Sequence, residues 1–181
     1  MANETNEALG GWRNKTIELA GQKTSDGRTN LDIFNDLKKK DGNNMEKLYQ
    51  DLHASGMSQS EASNGVGTYS HMKTVENKNN ELGQAFQQKF EQSLSPEEQA
   101  KYKTLQPSGD QNAITDFENH VSENNPNANQ ALLVERQAKA DAYVISQVDL
   151  DIEKAGNNVA SLPSVTVGTM VMPSDERTFR S

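Results

Sequence analysis

DGRTNLDIFNDL, residues 26–37, aligns without a gap to DGNNMEKLYQDL, residues 41–52, at an offset of 15 residues. Each copy opens on an Asp-Gly turn, continues into an apolar pair and closes on a leucine. This pattern is typical of a short helix that begins just after a tight turn. The repeat therefore predicts two helices, over 29–40 and 43–53, at the centre of the N-terminal third of the chain.

The start of each predicted helix carries a capping pattern. In the first copy it is Thr29-x-x-Asp32, and in the second it is Asn43-x-x-Glu46, with Asn in place of Ser or Thr. A capping box satisfies backbone N–H groups that the first turn of a helix leaves unpaired. The three lysines at 38–40 then fall in the last turn of the first helix, where cations complement the macrodipole. We interpret them as a solvated face rather than a nucleic-acid patch.

Apolar residues at spacings of three and four predict further helices along the chain. The clearest start is SPEE at 95–98, which combines a cap, a proline at the first helical position and acids in the first turn. The longest candidate, 127–155, would span about 43 Å at 1.5 Å per residue. We expect it to pack against several shorter helices or against another chain. The remaining predicted helices cover 7–22, 69–94 and 113–121.

The expected fold is mainly α, with several short helices, one long C-terminal helix and an extended or β-like C-terminal tail. In the tail, SVTVGTMVM at 164–172 alternates its valines with the period of a strand. A lone strand must fold on itself, join an undetected sheet or add to a neighbour's edge, and a disordered tail is the alternative. The predicted division is 1–54 N-terminal helices with the repeat, 55–68 Ser/Gly-rich linker, 69–156 helical core and 157–181 extended tail.

Composition narrows the function classes. Of the 181 residues, 33% are hydrophobic, so the core is thin for the length of the chain. The 26 acidic and 18 basic residues give a net charge of −8, which disfavours binding to nucleic acid or to anionic lipid. Cysteine is absent, which fits a reducing cytosol and removes thiolate chemistry. We find neither a Sec signal nor a membrane span in the sequence.

No motif in the sequence points to an enzyme, a metal or a cofactor. Asp116 and His120 share one helix face, but one face supplies too few ligands for a transition metal, so we interpret them as a surface ion pair. Both Asp-Gly turns fail the calcium-loop pattern, because Ile33 or Leu48 would fall at the last ligand position. We expect no catalytic residue, no metal site and no cofactor.

The sequence therefore favours a non-enzymatic structural or assembly protein that packs against neighbouring subunits, with a phage virion component as one setting. The alternative is a signal-free secreted bacterial effector or binding protein. We expect protein partners, with a homo-oligomer or larger assembly, and synthesis in the cytoplasm before entry into a virion or secretion. The residues predicted to bind a partner are an N-terminal aromatic anchor and tail side chains: Trp12, Val165, Val167, Val171 and Phe179.

Overall fold

The computed structural model describes residues 2–168, and this part of the chain is mainly helical, which confirms the predicted class. It contains seven α-helices and no strand beyond one isolated bridge between Lys23 and Thr29. A 3-10 helix, Gly156–Ser161, follows the last α-helix directly. The helix bounds are Ala2–Ala20 (α1), Asn30–Asp41 (α2), Met45–Ala54 (α3), Gln59–Gln92 (α4), Pro96–Ser108 (α5), Gln111–Glu123 (α6) and Pro126–Ala155 (α7).

The helix starts follow the capping chemistry of the sequence. Thr29 caps α2 with a complete capping box to Asp32, and Ser95 caps α5 with a complete box to Glu98. The cap of α3 was predicted one residue too early. Asn44, not Asn43, adopts the extended backbone and accepts a hydrogen bond from the Lys47 N–H at 3.1 Å. Adjacent asparagines offer the same side chain, so the pattern alone does not choose between them.

The segment 55–68 was predicted as a linker, and the structure differs, since α4 begins at Gln59. Ala62 and Val66 are buried in the core on the inner face of this helix. Gly65 permits a close approach: a Cβ there would lie 3.2 Å from the Phe34 ring. Packing thus outweighs the weak helix propensity of Ser and Gly. In contrast, α7 agrees with the predicted long helix to within one residue at its start.

The described chain forms two compact units whose bounds differ from the predicted division. Unit 1 comprises 2–77 and 143–168, and unit 2 comprises 78–142. Unit 2 is therefore inserted into the sequence of unit 1. The helices α4 and α7 each contribute residues to both units.

The core of unit 1 is built around three aromatic rings. Trp12 lies 5.1 Å from Phe34 and 4.9 Å from Tyr69, measured between ring centroids. Tilted and edge-on contacts of this kind add to the energy of burial itself. Leucine, isoleucine, valine and methionine side chains from α1, α2, α3, α4 and α7 surround the rings, including Leu9, Leu19, Leu31, Leu48, Leu52, Met72, Ile145 and Ile152.

The core of unit 2 is smaller. Its centre is Tyr102, whose ring lies 5.3 Å from Phe90 and 5.6 Å from Phe117. The helices around it are the end of α4, α5, α6 and the start of α7. The other buried members are Leu94, Ile114, Val121, Ala128, Ala131 and Leu132.

The predicted extended tail is only partly extended within the described residues. Residues Gly156–Ser161 form the 3-10 helix, and a non-helical segment, 162–168, follows it. This segment is not a β-strand, because a side chain bonds its backbone: the Val167 N–H donates to Asn6 Oδ1 at 2.7 Å, and Asn6 Nδ2 donates to the Val167 carbonyl at 3.2 Å. The rest of the predicted tail, with Val171 and Phe179, lies outside the described residues.

Candidate protein-interaction groove

Unit 1 contains a cavity of about 250 Å³ between α1, α7 and the segment 162–168, which we call the unit 1 groove. Its walls are mostly apolar, and charged side chains stand at its rim. A concave apolar surface with a polar rim is the usual form of a recognition site for a protein side chain or a small ligand. The lining residues are Leu9, Gly10, Arg13, Asn14, Val148, Asp151, Ile152, Leu162, Pro163, Ser164 and Val165.

Helical spacing explains how the walls are positioned. Leu9 and Arg13 are four residues apart on α1, and Val148 and Ile152 are four apart on α7, so each pair shares a face. The third wall depends on the end of α7. Gly156 has φ +55°, a left-handed conformation in which a helix commonly ends. The 3-10 helix then leads into 162–168, which lies along α1.

The rim of the groove is held in place by Arg13. Its Nη2 donates to the Leu162 carbonyl at 2.5 Å and reaches the Ala160 carbonyl at 3.5 Å. The guanidinium therefore ties α1 to the segment that follows α7. Asp151 supplies the opposite charge at the rim. One carboxylate and one guanidinium around apolar walls are suited to binding and do not form a nucleophile–base pair.

Close to this groove in sequence, Trp12 and Asp149 belong to a group of buried and half-buried charged and aromatic side chains. Trp12 Nε1 donates to Asp149 Oδ1 at 3.2 Å. Lys38 Nζ lies 3.6 Å from the same oxygen and 3.8 Å from Glu153 Oε2. Burial raises the pKa of Asp149, and the charges of Lys38 and Lys73 partly offset that rise.

Lys38 corrects the interpretation of the three lysines as a solvated face. Its side chain is only 5% exposed, and its Nζ lies 5.6 Å from the Tyr69 ring centroid and 5.9 Å from that of Trp12. The sequence contains an indication that Lys38 is buried. Lys38 follows Leu31 and Phe34 at seven and four residues, so it shares the apolar face of α2.

The residues predicted to bind a partner occupy different environments. Trp12 is fully buried in the unit 1 core, so it presents no surface in this conformation. Val167 is also buried, whereas Val165 is 39% exposed and lines the unit 1 groove. Val171 and Phe179 lie outside the described residues. The structure thus brings one predicted side chain, Val165, to a candidate site, and contact with a partner remains a prediction for all five.

Two side chains on α7 are exposed although the sequence pattern does not predict it. Tyr143 is 66% exposed and Leu150 is 48% exposed, and together with Val165 they are the large hydrophobic side chains exposed within 2–168. Seven residues separate Tyr143 from Leu150, which places them on the same helix face. We call this pair the α7 stripe. The sequence indicates the stripe only by placing two large apolar residues outside the main apolar face of a long helix.

The Asp116–His120 pair and the question of a metal site bear on the other residues considered in the sequence. Asp116 and His120 are both exposed on α6, and no salt bridge joins them. Among residues 2–168, no group of three or more His, Cys, Asp or Glu side chains is arranged to hold a metal ion. None of the helices in that range is long and apolar enough to cross a membrane.

Comparison with known proteins finds no matching family model, no similar curated protein and no similar solved structure.

Proposed function

We propose that this chain is a non-enzymatic structural protein that assembles with further copies of itself through unit 1. The α7 stripe of one copy inserts into the unit 1 groove of the next. The observation that carries the proposal is the location of the exposed large hydrophobic side chains in 2–168. Tyr143, Leu150 and Val165 all belong to unit 1, on the stripe or in the groove wall. Tyr143 and Leu150 share one face of α7 and Val165 lies in the groove wall, so each of the two surfaces has an exposed large apolar side chain to offer to a contact.

The stripe and the groove lie on different sides of α7. A helix turns by about 100° per residue, which puts Leu150 and Tyr143 roughly 140–160° around the axis from Val148, a groove residue. A contact that joins two different surfaces is heterologous, so each copy keeps one surface free for another copy. Such contacts build rings or filaments, and this is the behaviour expected of an assembly subunit.

Charge supports the same arrangement. Lys154 is exposed on α7 and lies four residues after Leu150, on the same side of the helix. When the stripe enters a neighbour's groove, the Lys154 ammonium approaches the rim, where Asp151 provides a carboxylate. A rim pair of this kind steers association and fixes register more than it adds affinity. The setting that we propose for this assembly is a phage virion.

The test is the solution mass of the full-length chain, measured by light scattering over a concentration series. We expect the wild type to grow beyond 20.0 kDa with concentration. Leu150→Asp places a charge on the stripe, and Gly10→Leu fills the groove, since a Cβ at Gly10 meets nothing within 4 Å. Each variant should remain a monomer, because each removes one of the two complementary surfaces.

Gly67→Leu is the matched control for the groove variant. Gly67 is also exposed, also helical and also open around its Cβ, but it does not line the groove. It should assemble like the wild type. A wild type that stays at 20.0 kDa at every concentration would contradict self-assembly and favour the alternative of a monomeric secreted effector. Variants that still assemble would exclude the stripe and groove as the contact.

A further inference from the structure

Unit 2 contains its own cavity, of about 730 Å³, which neither the core nor the proposed assembly uses. We call it the amide groove, because six of its twelve lining residues are Asn or Gln. Carboxylates, a lysine and small residues complete it. The lining residues are Asn79, Asn80, Gly83, Gln84, Gln87, Gln88, Glu91, Gln106, Glu135, Ala138, Lys139 and Ala142.

The amides on α4 form a regular row. Asn80, Gln84 and Gln88 follow one another at intervals of four residues, which corresponds to about 6 Å along a helix. In an extended peptide, backbone groups that point to one side recur every two residues, or about 6.6 Å. The two repeats differ by about 0.6 Å per step, a mismatch that flexible glutamine side chains absorb. The row therefore matches the spacing of a peptide backbone.

These three amides are available for a ligand. Asn80, Gln84 and Gln88 are exposed, and none has a side-chain hydrogen bond to another residue within 2–168. Each carboxamide supplies a donor and an acceptor, the same pair that a peptide group presents. The amides beside them are engaged within the protein. Gln87 Nε2 donates to Glu91 Oε2 and to the Tyr102 hydroxyl, both at 3.1 Å.

The opposite side of the groove is lined by small residues of α7. A Cβ placed on Gly83 would lie 3.4 Å from the Ala138 Cβ, so no larger side chain separates α4 from α7 there. Asn79 fixes this approach, because its Nδ2 donates to the Ala138 carbonyl at 2.8 Å. Ala142 continues the small surface one turn later. The two helices therefore meet at these small residues and close the floor of the groove.

The charge in the groove favours a cation. Glu91 and Glu135 both line it, and Glu135 is 3% exposed. The partner of Glu135 is Lys139, whose Nζ lies 2.6 Å from Oε2 although its side chain is 69% exposed. A buried carboxylate needs a counter-ion, and an exposed lysine is one that a ligand's ammonium or guanidinium group can replace. The net charge of −8 adds long-range attraction for a basic ligand.

We propose that the amide groove binds an extended, basic peptide segment. The row Asn80, Gln84 and Gln88 bonds the peptide backbone, and a lysine or arginine of the peptide exchanges with Lys139 at Glu135. This binding is separate from the assembly through unit 1, because its residues all belong to 78–142. It is a second interaction, with a partner that offers a basic, unfolded stretch of chain.

The experiment is an NMR titration of the ¹⁵N-labelled full-length chain, which observes side-chain amides directly. The probe is the blocked peptide Ac-Thr-Ser-Thr-Lys-Thr-Ser-Thr-NH2, whose threonines favour an extended chain. We expect the side-chain amide signals of Gln84 and Gln88 to shift in a saturable way. The same peptide with Glu in place of Lys should bind about ten-fold more weakly.

The variant Gln84→Ala/Gln88→Ala removes two members of the row and should weaken peptide binding at least about ten-fold. Gln130→Ala is the matched control, an exposed glutamine on α7 outside the groove, and it should bind like the wild type. Three outcomes would overturn the proposal: no shift at millimolar peptide, equal binding of the Lys and Glu peptides, or shifts with spermidine or a cello-oligosaccharide but not with the peptide.

Discussion

Each of the two units holds a buried or half-buried carboxylate beside aromatic rings, but they bond it differently. In unit 2, Glu118 accepts from the Tyr102 hydroxyl at 2.6 Å and from Arg136 Nη2 at 3.2 Å, one partner for each oxygen. In unit 1, Asp149 accepts from Trp12 Nε1, while Lys38 Nζ stays 3.6 Å away and has no hydrogen-bond partner within the described chain.

The difference shows how each unit offsets the cost of a buried charge. Unit 2 has a small apolar core and bonds its carboxylate fully, so the polar contacts themselves hold its helices together. Unit 1 has a larger apolar core and tolerates an incompletely bonded pair. Burial raises the pKa of Asp149, and the same burial raises that of Tyr69. Apolar packing thus dominates the stability of unit 1, and polar contacts matter more in unit 2.

The largest expected effect tests the packing of unit 1. Trp12→Ala removes a fully buried ring that contacts Phe34 and Tyr69, and we expect the free energy of unfolding to fall by about 3–5 kcal/mol. Urea titration followed by circular dichroism measures the loss. Trp12→Phe should recover part of it. If Trp12→Ala costs no more than Glu7→Ala, an exposed-site control on the same helix, packing around Trp12 does not dominate.

A loss of intermediate size is expected from substitutions that compare the carboxylates Glu118 and Asp149. Glu118→Ala leaves Tyr102 and Arg136 without their acceptor, and we expect a loss of about 2–3 kcal/mol. The double variant Lys38→Met/Asp149→Asn replaces an incompletely bonded pair and should stay within about 1 kcal/mol of the wild type, or exceed it. The measurement is hydrogen exchange by mass spectrometry, with α6 reporting on unit 2 and α2 on unit 1. If the double variant lost more stability than Glu118→Ala, polar contacts would matter more in unit 1 than in unit 2, contrary to the comparison.

The smallest effect concerns the pH dependence that Asp149 contributes. Its folded pKa is raised above the ordinary value of 3.8, so between 3.8 and the folded pKa the folded state holds more protons than the unfolded state. The stabilising contribution is complete below pH 3.8 and is lost as pH rises through the folded pKa. Asp149→Asn keeps an acceptor for Trp12 and removes the titration.

The stability of Asp149→Asn relative to the wild type should therefore increase as pH rises through this window. Urea titrations of both proteins, at steps from below pH 3.8 to neutrality, measure the difference. A difference that stays constant with pH would show that burial does not raise this pKa. A variant whose relative stability falls with pH would show that Lys38 pairs with Asp149 better than the geometry indicates.

Local chemistry made much of the fold predictable. The Thr29 box, the Ser95 box and the long α7 depend on short-range spacing, and the sequence predicts them to within one or two residues. The helical segment after Gln59 was not predictable in this way, because its residues favour turns and are held helical by distant contacts with Phe34 and the rest of the core.

The candidate sites were harder to predict for the same reason. Val165 was proposed from an alternating pattern, and the structure places it in a groove wall, but the groove itself requires α1, α7 and 162–168 to meet. Arg13 and Asp151 are unremarkable surface charges in the sequence. Arg13 contacts Leu162, 149 positions away, and both charges line a groove formed by distant segments, which no local period records.

The inserted position of unit 2 sets an order of events during synthesis. Unit 2 uses one uninterrupted stretch, 78–142, whereas unit 1 must join Trp12 to Asp149, 137 residues away, and Asn6 to Val167, 161 residues away. A ribosome adds roughly 5–20 residues per second. The residues of α7 and 162–168 that pack against α1 are therefore synthesised on the order of 10 s after α1. Unit 2 has all its residues once residue 142 is added, before unit 1 does, and until then the apolar face around Trp12 stays uncovered on the nascent chain.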